Sequence, residues 1–276
     1  KQKGPTATAA VAAAAARPAA GRLVVVGLGP GGAAHRTPAA VAAVRGADAV
    51  VGYGPYVDAV AGLLRPDQRV VRSTMGAESE RAAVAVALAV AGWRVALVSS
   101  GDAGVFGMAS TALDAALDAG DLGAPPIFVE VVPGVTAAHA AAAAAGAPLA
   151  GAHAAITLSD LLTPWARIEA QLRAAAGSGL ALALYNPRSK GRPDHLARAV
   201  AVLAEVLPGE TPMAVVTAAG DRDERVHAAT LATLDPSLAG MRSVVLVGTA
   251  DTVVDGAGRL VTSRHHPVAG DVEVAG

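Results

Sequence analysis

Short runs of valine, leucine and alanine, most of them closed by a small residue, alternate along this chain with longer alanine-rich stretches. The runs at 22–26, 49–51, 95–99 and 127–132 read as buried strands, being short, rich in β-branched residues and bounded by turn formers. The intervening stretches read as helices with legible ends. Thr37 followed by Pro38 is an N-cap with proline at the first helical position, and Gly46 closes that helix. Residues 78–91 carry acids in the first turn and meet Gly92 as a stop. Strand and helix in this alternation predict parallel βαβ units. A second series follows a boundary near 146–151, with strands at 154–158, 179–185, 213–217, 225–229 and 243–247 and helices at 164–176 and 193–207. The pattern predicts an α/β chain with a domain over 22–148, a second over 149–260, and a ligand site in the cleft between them.

Composition narrows the picture. Hydrophobic residues make up 53% of the 276 positions, but nearly half of these are alanine and only 3% of positions are aromatic, which describes closely approaching backbones rather than a bulky core. No stretch predicts a membrane span: 82–93 is bounded by Arg81 and Arg94, and 140–150 is broken by Gly146 and Pro148. The absence of cysteine excludes disulfides and thiolate metal sites, and makes a reducing cytoplasm the expected setting. A net charge of −1 argues against nucleic acid as a partner. Residues 1–21 are of low complexity, with no initiator Met, and are expected to be a linker or tail, or a join to a fused protein. Residues 261–276, with His265 and His266, read as a polar C-terminal tail.

Three loops of small residues follow strands: Gly27-Leu28-Gly29-Pro30-Gly31, Ser100-Gly101-Asp102-Ala103-Gly104-Val105-Phe106 and Pro133-Gly134-Val135-Thr136-Ala137. Asp102, bracketed by glycine, belongs in a loop at a strand's carboxyl end, where open α/β sheets bind ligands. Three such loops suggest a crevice for a nucleoside-bearing cofactor. Gly27, Gly29 and Gly32 match G-x-G-x-x-G, yet the helix signal comes only at Thr37-Pro38 and Asp48 begins the second strand instead of ending it. Both features count against a dinucleotide fold.

In order, GLGPG, ADAVVGYGPYV, SSGDAGVFGM, VVPGVTAAHAAAAAAGAPL, ITLSDLLTPW and ALYNPRSKGRP resemble the tetrapyrrole methyltransferases of cobalamin biosynthesis, and within them the precorrin-3B C-17 group, over about 22–259. The resemblance implies a class III S-adenosylmethionine methyltransferase of two αβα domains, with the cofactor in the interdomain cleft, usually a homodimer. It places the cofactor against Gly101, Asp102, Val105, Phe106, Thr136, Ala137, Tyr185, Asn186 and Ala214. It sets Gly29, Pro30 and Gly31 toward the substrate. Phe106 stands where the family more often has Tyr, and Ala154 follows His153 where an acid is common. No metal is implied. The implied reaction methylates carbon 17 of precorrin-3B or cobalt-factor III and contracts the ring. Alternatives are methylation at another ring carbon, the same fold acting on ribosomal RNA or a protein histidine, and a non-catalytic module holding a corrin intermediate.

Ring contraction needs proton transfers, so an acid or base belongs near the macrocycle. The candidates are Ser159 and Asp160, whose place before a helix also suits an N-cap, and Tyr53 and Tyr56, which flank a Gly-Pro turn. His139 sits in an alanine helix and reads as a core or dimer-face residue. The carboxylate-rich substrate calls for cations, and Arg188, Lys190 and Arg192 cluster after Tyr185-Asn186-Pro187.

Overall fold

The computed structural model describes residues 21–264. The expectations for residues 1–20 and 265–276, His265 and His266 included, lie outside the described residues. The chain divides into two compact units, one running to Ala140 and taking in Gly220–Arg222, the other comprising Ala141–Ala219 and the chain from Asp223.

The first unit is built on a five-stranded sheet of β1 (Arg22–Gly27), β2 (Ala49–Tyr53), β3 (Arg69–Ser73), β4 (Arg94–Ser99) and β5 (Phe128–Val132), in the order β3-β2-β4-β1-β5. Every pairing is parallel. Alternate residues serve opposite faces. Leu23, Val25, Val51 and Leu97 pack with the helices Glu78–Val90 and Ala109–Asp121, while Val26, Val50, Ala96 and Val98 pack with the helices Pro38–Gly46 and Gly54–Ala59. Burial on both sides is why these strands read as continuous apolar runs. Thr37 caps its helix as expected, its Oγ1 accepting from Ala40 N at 3.1 Å. Gly92 adopts φ +87° and ends the helix before it. β3 was not expected. It is an edge strand with alternately half-buried and exposed positions, and arginines break its apolar run.

The second unit carries β7 (His153–Thr157), β8 (Ala181–Tyr185), β9 (Pro212–Thr217), β10 (Arg225–Thr230) and β11 (Ser243–Val247), in the order β10-β9-β11-β8-β7. Only β7 and β8 pair in parallel; the remaining pairings are antiparallel. The stretch between β9 and β10 is too short for a crossover helix, so that pair closes as a hairpin. Ile156, Leu158, Leu182, Leu184, Met213 and Val245 form the core with Ile168 and Leu172 of the helix Trp165–Gly177 and Leu196 and Leu203 of the helix His195–Leu203. A small sheet of β12 (Thr252–Val254), β13 (Leu260–Thr262) and β6 (Gly146–Ala147) completes this unit. Val261 and Thr262, expected in the tail, are therefore strand.

Candidate active site

In the first unit the three glycine loops leave the carboxyl ends of the adjacent strands β4, β1 and β5 and are joined through their main chains. Gly29 and Gly101 exchange two hydrogen bonds, N to O in each direction, at 3.0 Å. Gly27 and Gly134 lie against the same carbonyl: a Cβ on Gly134 would come within 2.3 Å of Gly101 O, and one on Gly27 within 2.9 Å. Gly101 itself holds φ +63°, open to glycine at no steric cost.

Asp102 braces this assembly. Its Oδ1 accepts from Gly104 N at 2.7 Å and its Oδ2 from Gly134 N at 2.9 Å, so one carboxylate ties the second loop to the third. What the loop presents outward is main chain around Gly104 and the Phe106 ring, which is half exposed on a backbone of φ 50°. Val105 is half-buried beside it, and Thr136 and Ala137, also half-buried, open the helix Ala137–Ala145. Gly29 and Pro30 are buried, whereas Gly31 is exposed with φ +61° and faces the Gly220 carbonyl, which accepts from Gly32 N at 3.0 Å.

Tyr53 and Tyr56 sit at the carboxyl end of β2, their rings edge to face at 5.1 Å. The Gly-Pro step between them starts the short helix Gly54–Ala59 rather than forming a turn, since proline at the first helical position needs no N–H partner. Tyr56 packs against the apolar cluster around Val57, and burial pushes its phenol up, opposed by the charge of Arg81. Arg81 is itself buried, its Nε donating to Ser73 Oγ at 2.8 Å, and desolvation lowers its pKa. His139 lies on the exposed face of its helix, which sets aside the core reading and leaves the dimer-face reading as an expectation.

In the second unit, β7 and β8 end side by side. Asn186, at φ 52°, donates Nδ2–H to Thr157 Oγ1 at 3.0 Å, and that hydroxyl also accepts from Ser159 N at 3.2 Å. Tyr185 is buried at the end of β8. Ala214 lies fully buried in mid-strand between β10 and β11, as part of the floor rather than of an open surface. Neither Ser159 nor Asp160 caps the helix that follows: its N-cap is Pro164, with no side-chain hydrogen bond. Ser159 Oγ instead accepts from Arg192 Nη1 at 2.8 Å. Asp160 Oδ2 lies 3.1 Å from Nε2 of His195, a buried residue overlooked in the sequence because it reads only as a helix-opening position. This pairing, with a smaller contribution from Arg192, holds the Asp160 carboxyl below the usual carboxylate range.

The basic cluster divides. Arg192 turns inward to Ser159, Arg188 donates Nε–H to Pro193 O at 3.1 Å, and Lys190 is exposed in the tight turn that joins Ser189 to Arg192. Among the described residues no group of acids and histidines is placed to hold a metal, and no helix is long and apolar enough to cross a membrane. A shallow groove lined by Ala39, Ala43, Arg22, Arg94 and Glu130 lies away from the loops. Its charges are paired, Arg22 with Glu130 and Arg94 with Asp48.

A parallel sheet whose three glycine loops are joined through main chain and braced by one carboxylate is an α/β arrangement that offers backbone rather than reactive side chains at its strand ends. The chain belongs to the tetrapyrrole (corrin/porphyrin) methylases, whose family model matches residues 22–235. It is 44% identical over 232 residues to a precorrin-3B C(17)-methyltransferase of Sinorhizobium sp., covering 84% of this chain and 90% of that one. It is 42% identical over 246 residues to a protein of Salmonella typhimurium named "Probable cobalt-factor III C(17)-methyltransferase", covering 88% and 98%. The solved structure of the methyltransferase CobJ superposes with a TM-score of 0.83 at 39% identity, over 88% of this chain and all of that one. The fold alone is shared with a uroporphyrin-III C-methyltransferase from Thermus thermophilus complexed with S-adenosylhomocysteine, at TM-score 0.61 and 24% identity, over 83% and 92%.

Proposed function

We propose that this chain methylates carbon 17 of precorrin-3B or of cobalt-factor III, with S-adenosylmethionine as donor and contraction of the macrocycle, as a homodimer in the cytoplasm. The observation that carries the reading is the 44% and 42% identity to C(17)-methyltransferases over nearly the whole of each relative. The donor is supported by family membership and by the S-adenosylhomocysteine held by the Thermus relative.

The residues fit such a donor. The loop 100–106 offers unsubstituted main chain at Gly104 and an apolar ring at Phe106, and a side chain at Gly27 or Gly134 would disrupt the cradle behind it. When bound, S-adenosylmethionine supplies a methyl group already activated by a sulfonium, so no strong acid or metal has to create the electrophile. The work left to the protein is alignment and exclusion of water. By family resemblance, Gly101, Asp102, Val105, Phe106, Thr136, Ala137, Tyr185 and Asn186 are the residues that would hold the donor. Asp102 acts indirectly, fixing Gly104 and Gly134 through its two accepted hydrogen bonds. Arg188 and Lys190 would meet the carboxylate arms of the substrate, and Gly31 would border it.

Calorimetric titration with S-adenosylhomocysteine tests the donor, and mass spectrometry after incubation with precorrin-3B and, separately, cobalt-factor III tests the reaction. A mass gain of one methyl in either tetrapyrrole supports the reading. Binding of the tetrapyrrole without methylation in both cases overturns it in favour of a carrier module.

A further inference from the structure

The one buried imidazole among the described residues of the second unit lies beside a partly exposed carboxylate. His195 opens the helix His195–Leu203 and is 8% exposed; Asp160 lies in the loop after β7 with its side chain about a third exposed. Their closest atoms are 3.1 Å apart, but the contact is poorly directed, and Nε2 has no better partner among the described residues. The Trp165 ring meets the imidazole edge to face at 5.0 Å and fixes its plane. That ring is in turn clamped by Arg198, 3.9 Å above it, and by its own indole N–H to Glu169 Oε1. Arg192 holds the neighbouring Ser159 and adds its positive charge near the acid. Arg198, Trp165 and His195 thus form a chain of contacts that ends beside one oxygen of Asp160, in the loop after β7, where Asn186 is anchored to Thr157.

We propose that Asp160 accepts the proton released by methylation and that His195 is its positioning residue; the inference rests on the reaction proposed above. When a methyl reaches a ring carbon as a cation equivalent, the sulfur–carbon bond breaks with its electron pair left on sulfur. A ring π pair forms the new carbon–carbon bond, and the ring then carries one positive charge more than before. One N–H or C–H proton must leave it. The Asp160 carboxylate takes that proton and, being exposed, returns it to solvent. His195, 3.1 Å from one carboxylate oxygen, closes into a directed hydrogen bond as the ring arrives and so orients the acid in its ionised form. The charged and titratable groups around the pair are Asp160 and Arg192 toward the loop, Glu169 on the helix Trp165–Gly177, and Arg198 on the histidine's own helix.

The test has two independent arms on the full chain. In the first, without donor or tetrapyrrole, the Asp160 carboxyl carbon is followed by NMR across acidic pH, its signal assigned by its loss in Asp160→Asn. It should titrate at higher pH in His195→Phe, which keeps an aromatic ring against Trp165, and return toward the parent position in His195→Gln, which restores a donor near Nε2. In the second, Asp160→Asn should lower kcat by about 10²–10⁴-fold with little change in donor KM, the range of a lost acid–base group. His195→Phe should lower kcat by about tenfold and move the acidic limb of its pH profile upward, with recovery in His195→Gln. An unmoved Asp160 titration in His195→Phe, or a kcat within about twofold of the parent in Asp160→Asn, overturns the inference. If the parent methylates neither tetrapyrrole, the functional reading falls, and the NMR arm still decides whether the pair exists.

Discussion

Replacing Gly134 by alanine probes the joint among the three loops directly. The added methyl would stand 2.3 Å from Gly101 O and 2.8 Å from both C and O of Gly27, all main-chain atoms that cannot rotate away. Relief requires a loop displacement on the order of 1 Å, a misplacement that near reacting groups can cost about 10²-fold in rate. Overpacking of this kind costs about 1–3 kcal/mol, against about 0.4–1 kcal/mol returned by the stiffer unfolded chain, leaving about 1.3 kcal/mol at the centres of the two ranges. For a chain of this size that lowers Tm by about 3–5 °C, at roughly 2–4 °C per kcal/mol. Differential scanning fluorimetry reads the Tm, and calorimetry with S-adenosylhomocysteine should show at least about tenfold weaker binding, equivalent to about 1.4 kcal/mol. Gly46→Ala is the control, because nothing lies within 4 Å of its added methyl. If Gly134→Ala matches the parent in both Tm and affinity, the loops are not packed as described and the cradle argument fails.

Asp102→Ala removes the acceptor for Gly104 N and Gly134 N, and should weaken S-adenosylhomocysteine binding more than Asp102→Asn, which retains one carbonyl oxygen; equal effects in calorimetry would contradict the bracing role. Lys190→Ala and Arg188→Ala should raise the tetrapyrrole KM and leave S-adenosylhomocysteine affinity unchanged, and the arginine change should also disturb the turn it bonds at Pro193. Stability should fall on acidification. Asp160, Glu205, Asp235 and Asp255 all have lowered pKa values, Asp160 chiefly from the close approach of His195 and the others chiefly from hydrogen bonds to Arg173, Ser237 and the Arg259 backbone respectively. A depressed folded-state pKa stabilises above the unfolded value, near pH 4, and that contribution is lost as pH falls through the folded value. Tm measured against pH should therefore drop below about pH 4, and less steeply in Glu205→Gln.

Much of the first unit was legible because its strands are buried on both faces and its helices carry local stop and start chemistry. Thr37-Pro38 and Gly92 act through neighbours a few residues away, so their meaning is written beside them. Position was also readable for the loops at the ends of β1, β4 and β5, but not their mutual hydrogen bonds, since Gly29 and Gly101 meet only once the sheet order is set. β3 escaped because Arg69 and Arg72 interrupt an edge strand that needs only one buried face. The mixed second sheet escaped for a related reason: apolar runs do not record strand direction. Ser159 and Asp160 stand where helix caps usually stand, and only tertiary contacts with Arg192 and His195, more than thirty residues later, show that they do other work.

The Gly220–Arg222 turn, which belongs to the first unit although the chain around it builds the second, bears on any attempt to separate the two. A scission after Ala140 would strand that turn on the wrong fragment and strip Gly32 of the carbonyl it donates to. Isolated expression of residues before that cut should therefore yield an incomplete lobe, and fragment complementation would be needed to restore it. The polypeptide is stitched rather than strung.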